Sequence, residues 1–193
     1  MNRPKRVILF GLTLLFSVAP LHAAEHYTFD QTASKISFEV RHLLGTARGQ
    51  FHRFSGTIDL DRNAPEQSGV SARIEVASID TGIEKRDEHL KSGEFFDVSK
   101  HPAITFKSRS VKRTGDTAGD ITGDFTMHGV TRTIVLHIEL LDGPSGERTR
   151  WKVTTPPLKR RDFNLIFGST AEAVSGISQE VAVNIQIEAT RSR

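Results

Sequence analysis

The sequence predicts an all-β domain, built as an antiparallel meander that closes into a sandwich or a barrel. Two observations favour this fold class. Apolar and polar residues alternate with a period of two through most of the chain, as in strands with one wet face. Segments rich in Gly, Pro, Asn and Asp separate these runs, for example NAPEQSG at 63–69 and RTGDTAG at 113–119.

The alternating runs account for the candidate strands in chain order. Each run places Ile, Val, Leu or Phe on one parity and polar residues on the other. His42 shares the parity of Phe38 and Val40, so it is expected on the buried face. The runs cover residues 34–42, 54–60, 70–76, 103–107, 121–127, 130–140, 151–153 and 180–188.

One segment, residues 80–97, does not alternate and predicts a short helix over about residues 82–92. Thr81 and Glu84 have the spacing of a capping box. Gly93 suits a left-handed C-cap. The helix falls between two strands, so it is expected to cover an end or a side of the sheet.

The N-terminus reads as a secretory signal peptide over residues 1–24, which leaves one domain over residues 25–193. Without the leader, 23 basic residues balance 23 acidic residues, so net charge gives no indication of nucleic-acid binding. The chain has no cysteine, and export without disulfides suits a periplasmic location.

The sequence contains no phosphate-binding loop, zinc-protease motif or nucleophile elbow. Its histidines are scattered singly, whereas a metal site needs three or four convergent ligands. His42 alone could be a base, a metal ligand, a polar contact for a ligand, or a core residue. Arg86 and His89 share a face of the predicted helix, where a cap and salt-bridge role is favoured over chemistry. We therefore predict no catalytic residues, no metal and no cofactor.

Several stretches together resemble the YceI-like family of polyisoprenoid-binding, lipocalin-like proteins. The most specific is RDEHLKSGEFFDVSKHPAITF, residues 86–106. It is joined by YTFDQTASKISFEVRHLLGTARGQF, ITGDFTMHGVTRTIVL, RRDFNL and ISQEVAVNIQIEA in the family's order. The resemblance implies an eight-stranded antiparallel lipocalin-like barrel with one short helix after the fourth strand. It also implies an apolar channel for a polyprenyl chain or a prenyl quinone, a periplasmic location and a possible homodimer.

Two departures from the family pattern concern one region. Asn164 stands where the family often has Gly after Asp-Phe, and Pro156 and Pro157 interrupt what is usually a strand. Proline cannot donate a ladder hydrogen bond, so the strand around residues 150–165 is expected to be broken or to lie on an edge.

We therefore expect a periplasmic carrier or store for an isoprenoid lipid, without a stable membrane anchor and without nucleic acid as a partner. His42, Arg48 and Asp162 are rim candidates for head-group contact, although a surface charge and a turn residue are the favoured readings of Arg48 and Asp162. The alternatives are a barrel enzyme with His42 or His89 as base, and a filled barrel serving as a stress-related interaction module. The expected ligand contacts are Phe38, Val40, His42, Phe51, Phe54, Ile58, Ile74, Val76, Ile104, Phe106, Phe125, Ile134, Leu136, Trp151, Val183 and Ile185.

Overall fold

The structure of the chain is a computed structural model that describes residues 24–142, 146–168, 174 and 176–192. Residues 1–23 of the predicted signal peptide lie outside the described residues. In the part of the chain that is described, no helix has the length and apolar character of a membrane span.

Twelve strands and one α-helix make up the regular structure of the described residues. Each alternating run becomes a strand, and the observed strands extend several of the predicted ones. The strands are β1 (Glu25–Phe29), β2 (Lys35–His42), β3 (Gly45–Phe51), β4 (Phe54–Leu60), β5 (Gly69–Glu75), β6 (Ile79–Asp80), β7 (Ala103–Arg113), β8 (Ala118–Met127), β9 (Val130–Leu140), β10 (Arg148–Thr154), β11 (Leu158–Lys159) and β12 (Glu180–Arg191).

The sheet closes on itself because β12 pairs with both the first and the last parts of the strand order. β1 and β2 follow one another along β12, with Phe29 opposite Ala189 and Lys35 opposite Gln186. β3 likewise runs on into β4. The two composite strands join β5, β7, β8, β9, β10 and β12 as a closed eight-stranded antiparallel barrel, which confirms the predicted fold class.

A β-bulge in β7 explains why that strand is longer than its alternating run. The register between β7 and β8 shifts between Ser108 and Ser110. One extra residue reverses the parity of the strand. Val111 therefore faces the same interior as Ile104 and Phe106, although it has the opposite sequence parity.

The predicted helix is present as α1 (Glu84–Lys91), but both predicted caps are wrong. Ile83 is the N-cap, and Thr81 instead donates its N–H and its hydroxyl to the Asp87 carboxylate. The C-cap is Ser92 in an extended conformation, so the turn that follows does not need Gly93 in a left-handed one.

The interruption expected around residues 150–165 is present. β10 ends at Thr154, and after Pro156 and Pro157 the chain returns to β12 only through the two residues of β11. A short 3-10 turn (Arg160–Phe163) follows, closed by Asn164 at φ 58°. Asn tolerates this left-handed conformation better than most residues, which accounts for its standing in place of Gly.

The barrel has two ends that differ in what covers them. The loop end carries the β4–β5 and β7–β8 connections, the end of β9 and the start of β10. The helix end carries α1, the β2–β3 turn at Leu43 and Leu44, the β8–β9 turn, and residues 155–167.

Candidate ligand-binding cavity

The barrel interior is hollow. A cavity of about 780 Å³ runs between the two ends, and its walls are overwhelmingly apolar. This volume falls within the range of small-molecule sites, roughly 300–1,000 Å³. The prediction of a filled barrel is therefore wrong, while the role of a stress-related interaction module stays a prediction.

Strand alternation brings fourteen of the sixteen candidate residues to the cavity wall. On β9, the inward-facing Ile134 and Leu136 are only half-buried because they border the empty interior, while Val135 between them faces outward and is exposed. The fourteen are Phe38, Val40, His42, Phe51, Ile58, Ile74, Ile104, Phe106, Phe125, Ile134, Leu136, Trp151, Val183 and Ile185.

Phe54 and Val76 do not line the cavity. Both are buried in the hydrophobic core instead. Val76 opens a 3-10 turn (Val76–Ser78) directly after β5 ends at Glu75, so strand alternation no longer sets its direction. Phe54 is the first residue of β4, and it packs into the core instead of bordering open space.

The three rim candidates have different surroundings. His42 lines the cavity beside the β2–β3 turn, but its ring has no hydrogen-bond partner among the described residues. Arg48 lies opposite Glu39 on the outer face and donates to its carboxylate at 2.8 Å, so it is a surface ion pair. Asp162 is exposed in the 3-10 turn and is not part of the cavity wall.

Aromatic residues outside the strands close the helix end, and alternation could not predict them. Phe95 and Phe96 follow α1, and both are buried against the cavity. Phe167 stacks on Phe95 with ring centroids 4.4 Å apart, and it also stacks on His89 at 5.9 Å. The adjacent Phe95 and Phe96 after the helix were the one sequence signal for these contacts. Two neighbouring Phe side chains in a loop are expected to be buried in a hydrophobic core.

Three cavity rings lie directly over glycines of the barrel wall. The rings of Phe29, Phe38 and Phe106 occupy the space where side chains of Gly56, Gly49 and Gly123, respectively, would begin. A Cβ at any of these glycines would overlap the ring. The glycines therefore let the aromatic rings approach the barrel wall closely, which leaves more of the interior open.

Charges at the loop end are balanced by partners at the same end. Arg62 donates to the Glu25 carboxylate at 2.8 Å and to the Tyr27 hydroxyl at 2.9 Å, and Tyr27 donates to Glu25. Burial raises the pKa of Glu25, but hydrogen bonds from Tyr27 and Arg62 outweigh it and leave that pKa below its usual value. Burial and the neighbouring carboxylate raise the pKa of Tyr27. Arg113 pairs with Asp116 at 3.0 Å.

Two arginines and a histidine border the cavity at the helix end. Arg86 donates from Nε to the Thr81 hydroxyl at 2.8 Å and from Nη2 to the Thr81 carbonyl at 2.9 Å. His89 lies 3.2 Å from the Glu94 carboxylate. Arg160 is buried and donates to the carbonyls of Leu165 at 2.9 Å and Ser178 at 3.0 Å. Arg86, His89 and Arg160 all border the cavity.

Over residues 24–142, 146–168, 174 and 176–192, no three His, Asp or Glu side chains converge as a metal site would require. His26, His52 and His137 each pair with a single carboxylate, of Asp59, Asp80 and Asp120 respectively, at exposed positions.

Comparisons with known proteins agree with this architecture. The family model of the YceI-like domain matches residues 27–189. A UPF0312 protein of Pectobacterium atrosepticum is 35% identical over 191 residues, which is 96% of each chain. Protein YceI of Escherichia coli O157:H7 is 34% identical over 194 residues, covering 96% of this chain and 98% of that protein.

Solved structures show the same fold. BcnA of Burkholderia cenocepacia superposes with a TM-score of 0.76 at 24% identity, over 84% of this chain and 99% of that chain. A polyisoprenoid binding domain from Saccharophagus degradans, implicated in plant cell wall breakdown, gives a TM-score of 0.70 at 20% identity. That match covers 89% of this chain and all of the other.

Proposed function

Because the chain belongs to the YceI-like family, we propose that it is a periplasmic isoprenoid-lipid binding protein that carries or stores a polyprenyl chain or a prenyl quinone. The observation that carries the proposal is the apolar cavity of about 780 Å³ through the barrel. The name of the Saccharophagus domain, which has the same fold and binds polyisoprenoid, gives further support.

The cavity supplies what an isoprenoid chain needs. Transfer of apolar groups from water contributes about 0.8 kcal/mol per buried CH₂, so each five-carbon isoprene unit can add several kcal/mol before the costs of ordering the chain. The inward residues of β12, from Val181 to Ile187, extend the apolar wall over about 20 Å of strand. A long tail can therefore bind tightly through its hydrocarbon alone.

The first test identifies the lipid that co-purifies with the protein. The chain is expressed with its leader in a bacterial host and purified from the periplasm, then extracted with solvent and examined by mass spectrometry. We expect a prenyl lipid at a substantial fraction of one molecule per chain. Recovery of no lipid, together with no uptake of added prenyl quinone, would sink the proposal.

The second test compares two neighbouring residues on opposite faces of β9. Leu136→Phe adds volume inside the cavity, whereas Val135→Phe adds the same type of ring on the outside. Trp151 is the single tryptophan of the chain and lines the cavity, so its fluorescence reports occupancy. We expect prenyl-quinone affinity to fall about tenfold or more in Leu136→Phe and to stay unchanged in Val135→Phe. Equal effects in the two variants would contradict binding inside the barrel.

The enzyme alternative makes a different prediction for the two cavity histidines. A carrier returns its lipid chemically unchanged, and His42→Ala or His89→Ala leaves prenyl-quinone affinity close to that of the wild type. Conversion of the lipid by the wild-type protein, abolished in either variant, would instead establish catalysis.

A further inference from the structure

We propose that the outer surface of the helix end docks on a phospholipid bilayer. Leu43 and Leu44, at the tip of the β2–β3 hairpin, insert into the acyl layer, and lipid passes between the membrane and the barrel at this contact. This inference rests on the proposed function for the lipid that is exchanged. It adds the surface and the partner of the exchange.

The first observation is that exposed apolar side chains are concentrated at one end of the barrel. Single apolar residues on a surface are ordinary, whereas a cluster marks a contact with a protein or a membrane. Leu43 is 75% exposed and Leu44 is 91% exposed, so most of both side chains lies in water. The other two exposed large apolar residues away from this end, within the described parts of the chain, are Val135 on the outer wall and Leu141 at the loop end. The exposed set at the helix end is Leu43, Leu44, Ile83, Ile166 and Val174.

The second observation is that hydrogen bonds hold the segments of this set on one surface. The Ser178 N–H donates to the carbonyl of Arg41, just before the β2–β3 turn, at 2.8 Å. Arg160 donates to the Ser178 carbonyl at 3.0 Å and to the Leu165 carbonyl at 2.9 Å. The turn and the segment around Ile166 are therefore linked through the start of β12 and lie side by side.

This surface surrounds the helix end of the cavity. His42, directly before the turn, borders the cavity, and so do Leu165 and Phe167 on either side of Ile166. Cavity-lining residues therefore alternate along the chain with exposed apolar ones. A membrane that receives the exposed side chains lies next to the residues that line the cavity, so lipid has a short apolar route between the two.

Leucine is an unexpected residue at both positions of the β2–β3 turn. Two-residue hairpin loops favour Asn, Asp and Gly, whose side chains and backbone suit a tight turn in water. Leu43 and Leu44 neither serve the turn in this way nor enter the core. A residue choice that breaks a local rule without a local gain is typical of a functional site.

The shape and charge of this surface favour a bilayer over a folded partner. A protruding hairpin tip needs a complementary pocket on a protein, whereas fluid acyl chains accept it without one, and interfacial binding grows with the apolar area that is buried. Exposed charges of both signs lie at this end, with Lys159 opposite Glu180 where β11 pairs with β12. Insertion of the leucines, and not attraction to charged lipids, therefore supplies the affinity.

The first measurement is co-flotation of the lipid-free protein with phosphatidylcholine vesicles. The turn variant, Leu43→Ser with Leu44→Ser, is compared with a control variant, Val135→Ser with Leu141→Ser, which also removes two exposed apolar side chains. We expect the partition coefficient to fall about tenfold or more in the turn variant and to stay within about twofold of wild type in the control. It should change little with salt, because the contact is apolar. Equal partitioning of the two variants, or no flotation of the wild type, would overturn the docking surface.

The second measurement is the rate at which prenyl quinone leaves the loaded protein for vesicles, followed by Trp151 fluorescence. Exchange at a contact predicts a rate that rises with vesicle concentration, whereas release into water predicts a constant rate. We expect the rising rate for the wild type and a rate about tenfold lower in the turn variant. Its Tm and its equilibrium affinity for prenyl quinone should match the wild type, since neither leucine lines the cavity. A rate that ignores vesicle concentration would contradict exchange by docking.

Two further outcomes are distinct. A protein that takes up prenyl quinone but does not bind vesicles keeps the proposed function and loses this inference, whereas failure to take up prenyl quinone contradicts both. Sedimentation equilibrium tests a second copy of the chain as the occupant of the surface. A dimer of the wild type that becomes a monomer in the turn variant would assign the leucines to that interface and overturn the membrane assignment.

Discussion

Asp97 fixes the loop that carries Phe95 and Phe96 into the cavity wall. It adopts a left-handed φ of 46°, and its backbone N–H donates to the Ser92 carbonyl. Its carboxylate accepts hydrogen bonds from the Lys100 ammonium at 2.7 Å and the Ser99 hydroxyl at 2.6 Å. The backbone N–H of Asp97 thus holds the first half of the loop, and its carboxylate holds the second half.

These contacts predict how stability depends on acid. The Lys100 ammonium and the Ser99 hydroxyl lower the pKa of Asp97 from 3.8 to about 2. A lowered carboxyl pKa stabilises the fold above the unfolded value, and that contribution is lost as the pH falls through the folded value. We expect the free energy of unfolding, measured by urea titration, to fall less steeply between about pH 4 and pH 2 in Asp97→Asn than in the wild type. Parallel pH profiles would contradict this role.

Asn164 permits a test of backbone strain at a single exposed residue. Its φ of 58° is left-handed, a conformation that Gly and Asn adopt more readily than Ala. We expect Asn164→Ala to lower the free energy of unfolding by about 1 kcal/mol and Asn164→Gly to change it by less than half of that. The comparison is made by thermal or urea unfolding, and equal losses in both variants would point to a side-chain contact instead.

At the scale of elements, alternation predicts a strand well where one face is buried and the register is unbroken. β9, β5 and β12 follow that rule. β3 does not, because its sequence GTARGQF contains two glycines and only two apolar side chains, so it holds its place through pairing with β2. The bulge in β7 shifts the direction of the following side chains by one residue, whereas the 3-10 turn at Val76 ends the alternation of β5. The sequence periodicity reveals neither change.

The hydrogen bonds at the start of α1 also differ from those that the sequence spacing predicts. Thr81 and Glu84 have capping-box spacing, yet Asp87 accepts the Thr81 hydrogen bonds. We expect Asp87→Ala to lower the free energy of unfolding by about 1–2 kcal/mol, because it leaves a half-buried N–H and hydroxyl without their acceptor. Glu84→Ala, one turn earlier on an exposed face, should cost less than about 0.5 kcal/mol. Urea unfolding measures both losses. A larger loss in Glu84→Ala than in Asp87→Ala would instead indicate a capping box between Thr81 and Glu84.

For the whole molecule, a hollow barrel links its stability to its ligand. A ligand that binds only the folded chain stabilises it by about 2.7 kcal/mol at a hundredfold excess over its Kd. For a domain of this size, each kcal/mol moves Tm by roughly 2–4 °C. Lipid-free and loaded protein should therefore differ more in Tm than most single substitutions achieve.

A series of prenyl alcohols tests this linkage by calorimetry. With every alcohol at one fixed concentration, we expect the rise in Tm to grow from geraniol through farnesol to geranylgeraniol. The rise should reach roughly 5–10 °C for an alcohol that is at about a hundredfold excess over its own Kd. It should level off for longer chains, because units beyond the cavity remain in water. A rise that is independent of chain length would indicate binding outside the barrel.

The rings over Gly49, Gly56 and Gly123 have a consequence for how such a protein could diversify. At Gly56, the nearest atoms to an added methyl group all belong to the Phe29 ring. Substitution of Gly56 by alanine would displace the Phe29 ring into the cavity and reduce the volume available to a ligand. No residue that lines the cavity would be replaced. The cavity volume therefore depends in part on glycine positions, which contribute no side chain to the cavity wall. Single-base exchanges of glycine for alanine offer evolution a stepwise route to smaller ligands.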